Sequence, residues 1–329
     1  MRYTYLILFL VLISCTDNPA TNQLRGEAFG TYYYIKTVDS DLNDVRSKIE
    51  YLIDSINQSM STYQSNSIIS KLNNQKKAKV DEMFTDVFKA SKEIYKKTGG
   101  YFDPTVGLLV DHYGFGSQNT DTTISVDSLK KFIGLNLIRL KDDTLYKQYQ
   151  QTRLDFNSIA KGYAVDQFAL LLSDEGFKHY LIDIGGEVLA KGHKPQNKPW
   201  IVGIDQPVKS NSGDKRKLTT RLSLTDKALA TSGNYRKYKL NKKTNQETVH
   251  TVNPKTGKAE PSSLLSASVM ADKCITADAY ATAFMAMGYK EAIKIIENDS
   301  DVEAYLIYKT EDGNELTYIS EGFKSSIID

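Results

Sequence analysis

The sequence predicts an α+β fold, with mixed sheets and packed helices in a single domain that could divide into two lobes. Strand-like and helix-like segments follow one another irregularly, helical segments are few, and no internal repeat is present. A regular βαβ winding would instead alternate the two types. The 329 residues, 40% hydrophobic and 25% charged, are enough to bury a sizeable core.

The N-terminus predicts export and lipid attachment. Arg2 precedes ten mostly apolar residues, 5–14, far short of the ~20 that a membrane-spanning helix needs. The run ends in Leu12-Ile13-Ser14-Cys15, which resembles the lipobox of bacterial lipoproteins. The resemblance implies a signal peptide at 1–14, a lipidated Cys15 in contact with a bilayer, and a polar tether through residue 25. The mature protein would then be anchored in a bacterial cell envelope, on its periplasmic or extracytoplasmic side. An ordinary secretory signal with a chance cysteine is the alternative.

Periodicity and turn residues predict the elements that follow. Residues 30–38 are rich in β-branched and aromatic side chains, which favours a strand. Apolar residues recur at helical spacing over 45–56 and 83–95, and the second run stops at Thr98-Gly99-Gly100. The remaining predicted segments are helices from near Ile159 and over 273–287, strands at 180–184, 200–204 and 304–308, and exposed loops or hairpin tips at 209–221 and 241–247.

The charge balance argues against nucleic acid as a partner. The 42 basic and 40 acidic residues leave a net charge of +2, so no basic footprint for a polyanion is visible. With Cys15 lipidated, the second cysteine, Cys274, would remain as a buried thiol without a disulfide.

Two helical segments carry polar side chains that could act on a ligand. Asp278 and Thr282 lie four apart on one predicted helix face and offer hard oxygen ligands of the kind Mg²⁺ takes, although a solvated helix face explains them as well. The residues Asp155, Asn157, Ser158 and Lys161 stand before and at the start of the helix near Ile159. Helix starts bind anions, but plain capping explains these residues equally.

Two turn-rich segments offer further candidates. In GGYFDPTV, at 99–106, aromatic rings could stack on a ligand ring while Asp103 accepts a hydrogen bond, or the segment could be a plain β-turn. His250, in HTVNPKTG, could bind a phosphate or move a proton, or it could be a surface residue. No nucleophile elbow, P-loop or dinucleotide fingerprint is present, which argues against a serine hydrolase or a Walker-type ATPase.

Taken in order, nine segments resemble the ApbE family, the FAD:protein FMN transferases. The resemblance runs from about Gly26 to Gly288 and assigns residues 26–329 to one flavin transferase domain. Its segments are FGTYY, STYQSNSIISKLN, TGGYFDPTVGLLVDHYGFG, DFNSIAKGYAVD, LIDIGGEVLAKG, PWIVGIDQP, ALATSGNYRKY, HTVNPKTGKAEP and TADAYATAFMAMG.

The resemblance implies a cation, a substrate and site residues. Mg²⁺ would be held by Asp278, Thr282 and the backbone carbonyl of Ala160. Asp278 and His250 would be the catalytic residues, with His250 near the diphosphate as a possible base. FAD would be lined by Phe29, Tyr63, Tyr101, Phe102, Asp103, Asn157, Tyr163, His250 and Val252.

The implied reaction transfers FMN from FAD to a Thr or Ser hydroxyl of an acceptor protein, associated with the membrane, and releases AMP. Two alternatives remain open: hydrolysis of FAD to FMN and AMP, and storage of FAD without turnover. Four positions depart from the family pattern. This chain has Phe29 where the family commonly has Met, Leu108 where it has Pro, Tyr113 where it has Trp, and Asn253 where it has Asp. The first three should only retune a pocket, whereas Asn253 puts any role of a carboxylate at that position in doubt.

Overall fold

The computed structural model describes residues 21–38, 41–118, 123–208, 217–235, 238–240 and 247–328. The predicted signal peptide and Cys15 lie outside these residues. The strands are β1 (Asn22–Ala28), β2 (Thr31–Thr37), β3 (Lys77–Lys79), β4 (Ile138–Lys141), β5 (Thr144–Lys147), β6 (Tyr180–Ile184), β7 (Glu187–Lys191), β8 (Trp200–Asp205), β9 (Leu218–Leu224), β10 (Lys227–Gly233), β11 (Tyr238–Leu240), β12 (Glu247–Val249), β13 (Leu264–Ala271), β14 (Val302–Lys309), β15 (Glu315–Ile319) and β16 (Ile327–Ile328).

Helices make up the second set of elements. They are α1 (Asn43–Met60), α2 (Ile68–Asn74), α3 (Glu82–Lys97), α4 (Gly107–His112), α5 (Val126–Lys130), α6 (Ala160–Asp174), α7 (Cys274–Met287), α8 (Tyr289–Asn298) and α9 (Glu321–Lys324), with 3₁₀ turns at Leu135–Leu137 and Pro195–Asn197. The expectation of few helices is therefore wrong. Helices of four to seven residues, such as α2, α4, α5 and α9, are too short to show a helical period in the sequence.

An eight-stranded sheet forms the centre of the fold, in the order β1-β2-β6-β7-β10-β13-β14-β15. Every neighbouring pair is antiparallel. The segment between β2 and its neighbour β6 supplies α1 to α6 as one long insertion. The predicted α+β class is confirmed, because the helices are inserted between antiparallel strands and do not alternate with parallel ones.

The sheet is covered on both faces, which explains its apolar strands. On β14, Ala304 and Leu306 pack into the larger core with the helices, while Tyr305 and Ile307 pack on the other face against β8, β9 and α9. The run at 304–308 is therefore continuously apolar. Helix α7 lies inside the larger core, with eleven of its fourteen residues buried, so small alanines allow it to pack closely against β10 and β13.

Three predicted boundaries are wrong. Asn22 to Arg25, assigned to the tether, pair with Thr37 to Tyr34 as the first half of β1. The sequence does not indicate this strand because most of these residues are polar, although Leu24 is buried in the core. The loop predicted at 209–221 gives way to β9 at Leu218, and Glu247 already belongs to β12. Among the described helices, none has the length and hydrophobicity that crossing a membrane requires.

Candidate active site

A cavity of about 830 Å³ lies at one end of the central sheet. Thr31 at the start of β2, Gly185 after β6, Glu187 at the start of β7 and Gly233 at the end of β10 all line it. Its volume falls within the range of about 300–1,000 Å³ that is usual for ligand pockets. Most of the sequence-predicted site residues line this cavity.

Most of the predicted flavin residues line this cavity. They are Phe29, Tyr63, Tyr101, Phe102, Asp103, Asn157, His250 and Val252. Tyr163 is the exception, because it is only 5% exposed and packs in the core. Burial raises the pKa of the Tyr163 hydroxyl, and the negative charges of Asp86, Asp81 and Glu82 around the start of α3 raise it further. Tyr163 is thus not among the residues that line the cavity, and its assignment to the flavin site stays a prediction.

The three predicted cation ligands also meet at the cavity wall. Ala160 is the first residue of α6, and Asp278 and Thr282 lie one turn apart on α7. Asp278 is 3% exposed, and its Oδ2 accepts a hydrogen bond of 3.0 Å from the backbone N–H of Gly162. Burial raises the pKa of Asp278, while the nearby ammonium of Lys161 opposes that shift. That these atoms hold a cation stays a prediction.

Close contact between α6 and α7 fixes these ligands. A Cβ atom on Gly162 would lie 2.4 Å from the carbonyl oxygen of Cys274, so only glycine permits this approach. Asp166 of α6 accepts hydrogen bonds from the N–H groups of Cys274 (2.8 Å) and Ile275 (2.9 Å), the first residues of α7. Asp166 thus supplies the N-terminal cap of α7 from another helix, and burial raises its pKa to about 6.

Lys161 and Glu187 form an ion pair on the cavity wall. The Nζ of Lys161 lies 2.5 Å from Oε1 of Glu187, whose side chain is 3% exposed. Sequence reasoning selected Lys161 but missed Glu187. The available signal was a charged residue that opens an otherwise apolar strand directly after Gly185-Gly186.

Asp103 is held at the far wall by a turn. The glycines that follow the end of α3, Gly99 and Gly100, both have positive φ. The chain then turns, and Thr105 donates two hydrogen bonds to Oδ1 of Asp103. Their lengths are 2.8 Å from the backbone N–H and 2.6 Å from the hydroxyl. Asp103 is only 6% exposed, and burial raises its pKa to about 6. The predicted turn is confirmed and Asp103 lines the cavity, while its hydrogen bond to a ligand stays a prediction.

Aromatic residues surround the other predicted groups. Phe29 and Gly30 form the two-residue turn between β1 and β2, both with positive φ, which brings the Phe29 ring to the cavity. The His250 ring lies 6.5 Å, centroid to centroid, from Phe115, which also lines the cavity and which sequence reasoning missed. Lys255 places its ammonium 4.0 Å from the centre of the Tyr101 ring.

The departures from the family pattern have local explanations. Phe29 lines the cavity, whereas Leu108 and Tyr113 do not, so only the first can retune it. The Tyr113 hydroxyl donates to the carbonyl of Gly257 at 3.1 Å. Asn253 donates from Nδ2 to the carbonyl of Ala286 at 2.9 Å, and its Oδ1 accepts from the N–H of Lys255. An ionised carboxylate could not donate the first bond, so Asn253 serves as a structural turn residue here.

The cavity carries an excess of acidic groups. Among the described residues that line it, four are carboxylates (Asp103, Asp155, Glu187 and Asp278) and Lys161 is the only Lys or Arg. Burial raises the pKa of Asp155 as well as that of Asp278. In the described part of the chain, no group of three or more His, Cys, Asp or Glu side chains is arranged to hold a metal ion, and the predicted ligand set relies on a hydroxyl and a carbonyl instead.

The fold and cavity define an α+β protein with an acidic, aromatic-walled pocket of ligand size. The ApbE family profile matches residues 29–306, and the chain belongs to the ApbE family. It is 31% identical over 330 residues to the FAD:protein FMN transferase of Vibrio cholerae, with 96% of each chain covered, and 28% identical over 351 residues to that of Escherichia coli K12, with 99% and 97% covered.

Solved structures agree with this assignment. The flavin transferase ApbE from Vibrio cholerae superposes with a TM-score of 0.82 at 28% identity, covering 93% of this chain and 99% of that one. The apo form of the flavinyl transferase ApbE of Pseudomonas stutzeri gives a TM-score of 0.81 at 25% identity, covering 93% and 96%. Both the predicted family and the predicted fold are thereby confirmed.

Proposed function

We propose that this protein is an FAD:protein FMN transferase, which attaches the FMN half of FAD to a Ser or Thr hydroxyl of an acceptor protein and releases AMP. The observation that carries the proposal is that Asp278, Thr282 and Ala160 line the same cavity as eight of the nine predicted flavin residues, in a chain of the ApbE family. Curated relatives that match nearly the full length carry the same activity in their names.

The reaction is a phosphoryl-type transfer. The acceptor oxygen forms a bond to the phosphorus of FMN, and the bond from that phosphorus to the bridging oxygen of the diphosphate breaks. AMP leaves with the bridging oxygen, and the acceptor hydroxyl loses its proton. Positioning and charge neutralisation supply most of the catalysis in such reactions, so the charges on the cavity wall matter more than a protein nucleophile.

The donor set fits Mg²⁺. The Asp278 carboxylate, the Thr282 hydroxyl and the Ala160 carbonyl are hard oxygen ligands, and Mg²⁺ usually takes few protein ligands and completes its shell with water and phosphate oxygens. Among the described lining residues four carboxyl groups stand against one lysine, so a cation bound there would offset part of their repulsion toward the diphosphate of FAD. Mg²⁺ bound there would neutralise charge on the diphosphate and on the departing AMP.

His250 is our candidate for the base that takes the acceptor proton. It lies on the cavity wall directly after β12. We expect His250→Ala to lower the transfer rate by about 10²- to 10⁴-fold, the usual contribution of general acid–base catalysis, with little change in FAD affinity. Steady-state rates of AMP release and flavin fluorescence titration measure the two quantities. A normal rate in this variant would show that another group, or water, takes the proton.

Anchoring to a membrane is part of the proposal. A lipidated Cys15 would hold the enzyme in the bacterial cell envelope on the extracytoplasmic side, next to acceptors that are themselves associated with the membrane. Tethering raises the effective concentration of such acceptors without any new contact. Only the six residues 16–21 separate Cys15 from the first residue of β1, so an extended tether could reach about 20 Å.

The decisive test uses the chain that lacks residues 1–15, which retains every described element. This protein is mixed with FAD, Mg²⁺ and a candidate acceptor, and AMP release is followed together with flavin fluorescence on a denaturing gel. Transfer predicts AMP together with a fluorescent acceptor band. AMP with free FMN and no labelled acceptor would indicate hydrolysis, and bound FAD without AMP would indicate storage.

A further inference from the structure

The ion pair between Lys161 and Glu187 calls for an explanation other than stability. The Glu187 carboxylate is almost completely buried, and the Lys161 side chain is 30% exposed on the cavity side. Removing both charges from water costs free energy that their attraction only partly repays, so a buried ion pair is weak evidence for a stabilising role. Its position on the wall of the pocket indicates a role toward the ligand.

The charge distribution identifies the part of the ligand that Lys161 can meet. FAD carries its negative charge on the diphosphate, while the isoalloxazine and adenine rings are neutral. Among the described lining residues, Lys161 is the one Lys or Arg that faces four carboxylates. Among these described residues, Lys161 is therefore the one whose charge attracts a diphosphate.

The local backbone favours the same place. Lys161 is the second residue of α6, a helix of fifteen residues whose N-terminus opens onto the cavity through Asn157, Ser158 and Ala160. The positive end of the helix dipole at this position attracts anions. The Lys161 charge also acts on Asp278 of the neighbouring helix, which places the ammonium near the predicted cation ligands as well.

We propose that Lys161 binds the diphosphate of FAD and that Glu187 is a positioning residue that holds the Lys161 ammonium at the cavity wall. This inference rests on the proposed function, because it takes FAD as the ligand. Glu187 fixes the long lysine side chain before the ligand arrives, so less conformational entropy is lost on binding. The pair thus holds in place the one lysine ammonium among the described residues that line the pocket.

The test compares FAD with riboflavin, which has the same ring system but no phosphate. Affinities are measured by flavin fluorescence quenching with a chelator present, so that no divalent cation contributes. We expect Lys161→Met to weaken FAD binding by about 10- to 100-fold, the worth of a charged hydrogen bond, and to leave riboflavin affinity unchanged. Glu187→Gln should weaken FAD binding by a smaller factor, and Lys161→Arg should retain most of it. Lys89→Met, at an exposed position on α3, is the matched control.

Each outcome decides between the alternatives. The ratio of the two affinities does not depend on the folded fraction, so a parallel loss of FAD and riboflavin binding in Lys161→Met would mean a structural role and overturn the inference. Unchanged FAD affinity in that variant would overturn it too. A wild-type protein that binds neither flavin, in the chelator or with Mg²⁺ added, would instead overturn the proposed function, and with it the inference.

Discussion

Asp278→Ala is expected to lower the rate of FMN transfer by about 1,000-fold, since metal-assisted charge stabilisation in phosphoryl transfer is worth several kcal/mol. Asp278 is the only carboxylate in the predicted cation set, and its replacement leaves only neutral ligands, the Thr282 hydroxyl and the Ala160 carbonyl. The measurement is AMP release at saturating FAD over a range of Mg²⁺ concentrations. Excess Mg²⁺ should not restore the rate, because the ligand itself is missing.

Two further variants separate chemistry from folding. Alanine at 278 also leaves the Gly162 N–H without its acceptor, at a cost of about 1–3 kcal/mol if no water replaces it. Asp278→Asn keeps an acceptor for that N–H and removes a carboxylate that burial disfavours, so it should lose activity without losing stability. Asp272→Ala, an exposed acidic residue just before α7, is the control. Transfer rates within tenfold of wild type in both Asp278 variants would refute the cation assignment.

The helical period and local motifs were sufficient to predict the elements that position the site residues. The predicted helices at 45–56, 83–95 and 273–287 lie within α1, α3 and α7, apart from a single residue. The pairing of Asp278 with Thr282 follows from helix geometry alone, so both reach the cavity. The turn at Gly99-Gly100 likewise follows from residue type, and it delivers Tyr101 to Asp103 to the wall.

Contacts between distant segments could not be predicted in the same way. Asp166 caps a helix that begins 108 residues later, and Glu187 at the start of β7 pairs with Lys161 of α6. Neither partner is visible in a local pattern. The burial of Tyr163 has a related origin: the motif gives its position on α6, but the packing of α6 against its neighbours decides which of its side chains enter the core.

Gly162→Ala is expected to be the most damaging substitution that adds a single methyl group. The new Cβ would lie 2.4 Å from the carbonyl oxygen of Cys274, 2.7 Å from its carbonyl carbon and 2.8 Å from Cβ of Asp278. Two of these three atoms are backbone, so no rotamer change relieves the clash. We expect a loss of about 1–3 kcal/mol in the free energy of unfolding, from urea denaturation, and a transfer rate lowered by about 100-fold, because α7 must shift with its ligands.

The size of the activity loss follows from the geometry of the two helices. To restore an ordinary contact of 3.4 Å with the Cys274 oxygen, α6 and α7 would have to separate by about 1 Å, and Ala160 would move away from Asp278 and Thr282. Gly313→Ala is the control: its φ of +85° makes alanine costly, but nothing lies within 4 Å of the added Cβ. It should lower stability by about 1 kcal/mol and leave the rate unchanged. Equal rates in the two alanine variants would mean that the spacing of α6 and α7 does not control the chemistry.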